Sequence, residues 1–104
     1  MTGTFVLDRE MGCTREEFMR WLPGATRHAP ARIEGDEVSL SVGGGRVEIS
    51  LRVMPPRRIA ILALPVLAVR FQFVGLGAPA REAFLACFDA YTRRGGGLPG
   101  RRVR

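Results

Sequence analysis

Val38-Ser39-Leu40-Ser41-Val42-Gly43-Gly44-Gly45-Arg46-Val47-Glu48-Ile49-Ser50-Leu51-Arg52-Val53 is the stretch that decides the fold of this chain. Val38, Leu40 and Val42 alternate with Ser39 and Ser41. After three glycines, Val47, Ile49, Leu51 and Val53 alternate with Arg46, Glu48, Ser50 and Arg52. A period of two puts successive side chains on opposite faces of a strand, so this is a hairpin with one apolar and one polar face. Gly43-Gly44-Gly45 could form a backbone anion nest, but between two alternating strands it reads as the hairpin turn.

Downstream, Pro55-Pro56 reads as an interruption of the second strand. Ile59 to Val69 is then the longest apolar run, bounded by Arg58 and Arg70. A membrane-spanning helix needs about 20 such residues, so the run belongs in a buried sheet. It predicts a second strand pair, Ile59–Leu64 and Val66–Val74, turning near Leu64-Pro65. Leu67, Val69, Phe71 and Phe73 share one face of the later strand; Val66, Ala68, Arg70, Gln72 and Val74 share the other. Pro79 suits the first turn of a helix whose buried stripe is Ala80, Phe84, Cys87, Phe88 and Tyr91. Arg93, Arg94 and Gly95 suit its C-terminal end.

Upstream, Thr4 to Met11 reads as a first strand, with Phe5 and Leu7 on one side and Asp8 on the other. Thr14 and Glu17 have the T-x-x-E spacing of a capping box, and Cys13 and Phe18 occupy the positions of the flanking hydrophobic staple. The helix presents Phe18, Trp21 and Leu22 and is expected to stop at Pro23-Gly24. Gly24 to Pro30 is a loop, and the two-residue period begins from Arg32. Glu34, Asp36 and Glu37 surround a turn at Gly35-Asp36 and are expected to be solvated charges.

At 104 residues the chain makes one domain, able to bury about two-thirds of its extended surface without disulfide or metal. Residues 1–94 are assigned to that domain and 95–104 to a flexible basic tail, rich in glycine and arginine. The net charge of +6 comes mostly from this end: five of the 16 arginines lie at or beyond Arg93, which leaves eleven against ten acids elsewhere. There is no lysine, so the arginines follow codon composition and are weak evidence for nucleic-acid binding. Phe5-Val6-Leu7 is too short for a secretory signal, and Cys13 and Cys87 lie outside any CxxC spacing. The expected setting is the cytoplasm, with two packed thiols and no membrane association.

Taken together the pattern is α+β, in the order β-α-β-β-β-β-α: a curved antiparallel sheet with a long C-terminal helix packed on it. Over residues 4–94 this order resembles the half-domain of the TATA-box-binding protein and the helix-grip ligand binders. The resemblance implies helices on one sheet face and no particular site residue, because fold does not license function.

Chemistry is sparse. Gly75-Leu76-Gly77-Ala78-Pro79-Ala80 spells G-x-G-x-x-A, but it follows hairpins and precedes no strand or ribose-binding acid, so it reads as a strand-to-helix turn. His28, the single histidine, has no nameable orienting partner or co-ligand. No catalytic, cofactor-binding or metal-ligating residue is assigned, and no cofactor is expected. The first expectation is a non-enzymatic interaction or ligand-binding domain working as a homo-oligomer, with Leu62, Leu64, Val66 and Ala68 as the apolar dimer interface. Phe71, Phe73, Phe84, Phe88, Tyr91 and Trp21 fill the core or line a site for a small hydrophobic ligand. The alternative is an anion- or nucleic-acid-binding surface of Arg46, Arg52 and Arg70 with the tail arginines, a weaker reading because acids dilute it. The third is a small-molecule enzyme of helix-grip style relying on His28.

Overall fold

A computed structural model describes residues 3–93. The residues assigned above to the basic tail lie outside the described part. The elements are β1 (Thr4–Met11), α1 (Arg15–Ala25), β2 (Ala31–Glu34), β3 (Glu37–Val42), β4 (Gly45–Ile59), β5 (Leu62–Val74) and α2 (Ala78–Arg93). The five strands form one curved antiparallel sheet in the order β1-β5-β4-β3-β2. This is the α+β class and the element order expected from the sequence.

Alternation builds the core. Val38, Leu40, Val47, Ile49, Leu51, Leu67, Val69, Phe71 and Phe73 are buried against Phe18, Leu22 and Ala25 of α1 and Phe84 and Phe88 of α2. Both helices therefore cover the same sheet face. The aromatic rings interlock there: Phe71 meets Phe88 edge-on at 5.2 Å between centroids, Phe73 meets Phe84 at 5.8 Å, and Phe18 meets Phe88 at 5.8 Å. At these distances the rings fill the interface, so Phe18, Phe71, Phe73, Phe84 and Phe88 are core, while Trp21 and Tyr91 pack against it only partly buried.

The capping box of α1 forms as its spacing requires. Thr14 Oγ1 accepts from Glu17 N–H at 3.0 Å, and Thr14 N–H donates to Glu17 Oε1 at 2.8 Å. The staple residues Cys13 and Phe18 are both buried. The helix does not stop at Pro23-Gly24, however. It runs on to Ala25, which is fully buried, and closes with Thr26 N–H donating to the Leu22 carbonyl. Burial of Ala25 draws the last turn past the proline.

Two strands also differ from expectation. Ala31–Glu34 is a strand of its own on the sheet edge, joined to β3 through Gly35-Asp36. Ile59–Leu64 is not a strand: β4 continues through Pro55-Pro56 to Ile59, the chain turns at Ala60-Ile61, and Pro65 lies inside β5. The two proline sites are tolerated for one reason. The last β3–β4 pair is Glu37 with Ser50 and the last β1–β5 pair is Met11 with Leu67. Beyond them β4 and β5 pair only with each other and each has an open edge, where a missing N–H leaves no neighbour unsatisfied. A register shift between Met54 and Arg57 takes Pro55-Pro56 out of the ladder as a bulge.

The result is a β-hairpin arm that runs past the rest of the sheet, in a molecule measuring 50 × 27 × 22 Å.

Candidate functional site

The candidate surface is the face of the sheet away from the helices, together with the arm that extends it. Register places Thr4, Val6, Asp8 and Glu10 of β1 on this face, beside Val74, Gln72, Arg70 and Ala68 of β5. Arg46, Glu48, Ser50 and Arg52 of β4 continue it. Between β1, β5 and β4 it is dished into an open depression of about 640 Å³, with Asp8, Glu10, Ser50, Arg52, Ala68 and Arg70 around it.

The three arginines of the anion-binding reading share this face but stand in different settings. Arg46 Nε donates to Glu48 Oε2 at 2.6 Å. Arg70 forks Asp8, with Nε donating to Oδ1 at 2.7 Å and Nη2 to Oδ2 at 3.1 Å. The bidentate bond to Arg70 holds the Asp8 carboxyl below its ordinary pKa, and the same carboxylate raises that of Arg70. Arg52 has no ion-pair partner among the described residues. Ser39 and Ser50 hydrogen-bond Glu48 and Glu37 across the strands, so the polar half of the face is tied together internally.

Toward the arm the face turns apolar. Leu62, Leu64, Val66 and Ala68 lie at alternate positions of β5 and so share one side. Opposite them on β4 stand Ile59, Arg57, Met54 and Arg52. Leu62 is 57% exposed, Ile59 52% and Leu64 41%, and at the turn Ile61 is 96% exposed. The four residues expected at a dimer interface are thus brought together on the helix-free side. Ile59 and Met54, which complete the strip, were not among them: with the turn placed at Leu64-Pro65, their pairing across the true hairpin is not apparent. The loop after α1 does not cover the strip, since its Ala25–Ala29 portion lies against α2 and β3 on the other side of the sheet.

The remaining sequence motifs have local roles. Gly75 ends β5 at φ 73°, and α2 begins three residues later, so the G-x-G-x-x-A stretch is a strand-to-helix turn. Gly43 takes φ 55° in the β3–β4 turn. His28 is exposed just after α1, and its imidazole makes no hydrogen bond among the described residues. Among those residues no group of three or more His, Cys, Asp or Glu side chains is placed to hold a metal ion. No described helix is long and apolar enough to cross a membrane. Comparison with protein-family models, curated proteins and solved structures finds no match.

Proposed function

We propose that this protein is a non-enzymatic interaction domain that works as a homodimer, two copies joined through the apolar side of the β4–β5 arm. The observation that carries the reading is the run of Leu62, Leu64, Val66 and Ala68 along β5, flanked on β4 by Ile59 and Met54 with Arg57 between them, on the side that neither helix covers. Exposed aliphatic surface of this kind is costly to hydrate, and contiguous patches mark interfaces. The arm's edges suit pairing less well than its face: both of its strands carry proline, and the irregularity at Pro55-Pro56 interrupts the β4 edge. A two-fold axis through the strip would bury the same residues from each copy. The topological likeness to the TATA-box-binding protein half-domain supports the same side, because there too helices cover one sheet face and leave the other for contacts. Two free cysteines suit a reducing, cytoplasmic setting.

Anion binding is the weaker reading, since Arg46 and Arg70 already hold carboxylates. The test is mass in solution by light scattering across micromolar concentrations, for the wild type and for Leu62→Glu/Leu64→Glu. Both residues are exposed, so the pair of charges leaves the core intact. A wild-type dimer that the double variant converts to monomer supports the reading. A wild-type monomer throughout, or a dimer unmoved by the charges, overturns it.

A further inference from the structure

We propose that the groove between the end of α1, the Ala80–Cys87 stretch of α2 and β3 binds a small amphipathic carboxylate, its chain among Ala25, Ala29, Val42, Ala83, Phe84 and Cys87 and its head at Arg27. This site is on the helix side of the sheet and is independent of the pairing proposed above.

Three observations lead there. The first is volume. The aromatic residues close the core over most of the sheet, but beside Phe84 the facing residues of both helical segments are alanines, and an open groove of about 400 Å³ remains. That is within the range of small-ligand sites, which are mostly apolar with a few placed polar groups. The second is charge and hydrogen bonding. Arg27 lines the groove and has no ion-pair partner among the described residues. Thr26 supplies no free donor, because its hydroxyl donates to the Leu22 carbonyl at 2.8 Å. A single unpaired guanidinium beside an apolar trough fits a carboxylate on a hydrocarbon chain.

The third is backbone strain. Arg27 and His28 are consecutive non-glycine residues in the left-handed region, at φ 55° and 59°. Such conformations are unfavourable for side chains with a Cβ and cluster at ligand clamps. Here the turn is fixed by His28 N–H donating to the Pro23 carbonyl at 2.7 Å and Ala29 N–H to the Thr26 carbonyl at 3.2 Å, which holds Arg27 beside the groove.

The two cysteines provide the readout. Cys87 lines the groove and is half-buried, whereas Cys13 is shut in the core beneath the α1 cap. With decanoate as the probe, disulfide exchange at Cys87 with a chromogenic disulfide should slow saturably. Cys87→Ala should remove the fast-reacting thiol. Amide shifts in a two-dimensional NMR titration should gather at residues 25–29, 41–43 and 80–87. Arg27→Gln, at an exposed position, should weaken decanoate about tenfold and leave decanol nearly unchanged. Ala83→Phe, also exposed, should abolish binding of both by filling the groove. Unsaturable protection, shifts confined to the arm, or an Arg27→Gln variant that binds decanoate as tightly as wild type would each overturn the proposal.

Discussion

Arg70 and Asp8, 62 residues apart in sequence, are direct register partners on the helix-free face and share a two-pronged hydrogen bond. Because Arg70 lowers the Asp8 pKa in the fold, its contribution to stability is present above the unfolded carboxyl value near 3.8 and fades as pH falls through the folded one. A carboxyl-carbon NMR titration should find Asp8 below 3.8, and Arg70→Gln should bring it back up. An Asp8 midpoint unmoved by the substitution would mean that the fork is not populated in solution.

Cys13 responds at the other end of the scale. Burial, and secondarily the nearby Glu17 carboxylate, pushes its thiol up from 9.0 to about 11. The neutral thiol therefore favours the fold below the unfolded value, and this advantage is lost as pH rises from about 9 toward 11. Stability of the wild type should fall over that window more steeply than that of Cys13→Ala, measured by urea unfolding at each pH. Equal slopes would place the thiol in contact with solvent.

Gly45 starts β4 against the end of β5, where a Cβ would come within 2.2 Å of the Val74 carbonyl oxygen. Since the obstacle is backbone, Gly45→Ala should cost about 2 kcal/mol or more in urea unfolding. A loss near zero would show that the two strand ends separate freely.

Each of the three hairpins closes with two residues, the first at positive φ: Gly35 at 61°, Gly43 at 55° and Ala60 at 57°. That is the signature of a type II′ turn, which favours glycine at that position. Ala60→Gly should therefore stabilise the arm by about 0.5–1 kcal/mol, after the greater freedom of the unfolded chain is subtracted. Because the arm pairs only with itself, hydrogen exchange of the Arg57–Ile59 and Leu62–Leu64 amides should slow more than the global unfolding midpoint moves. Faster exchange in the variant would count against the turn geometry.

At the start of α1, Thr14→Ala removes the acceptor for Glu17 N–H and half of the capping box. The expected cost is about 1 kcal/mol by thermal or urea unfolding. Serine at the same position should restore nearly all of it, while a neutral alanine variant would mean that water replaces the cap.

Local periodicity and chemistry by themselves determined much of this protein. Alternation over Val38–Leu51 and Leu67–Phe73 set which side chains enter the core, and the T-x-x-E spacing set where α1 begins. Val53 keeps the alternation yet is 66% exposed, because it stands on the arm beyond the last β3–β4 pair. That Leu62 and Leu64 share one strand face with Val66 and Ala68 was not readable, because the sequence places a turn at Leu64-Pro65 between them. Tertiary structure alone decided where the long hairpin turns. Pro55-Pro56 and Pro65 look like strand ends when only the chain's own hydrogen bonds are counted; they cease to be so because β3 and β1 have already ended and no neighbour needs their N–H groups. It also decided which arginines are engaged, since the acid that occupies Arg70 lies on a strand 62 positions away. The groove beside Arg27 likewise depends on how α1, α2 and β3 converge, and a space left between packed elements has no periodicity in a sequence to reveal it.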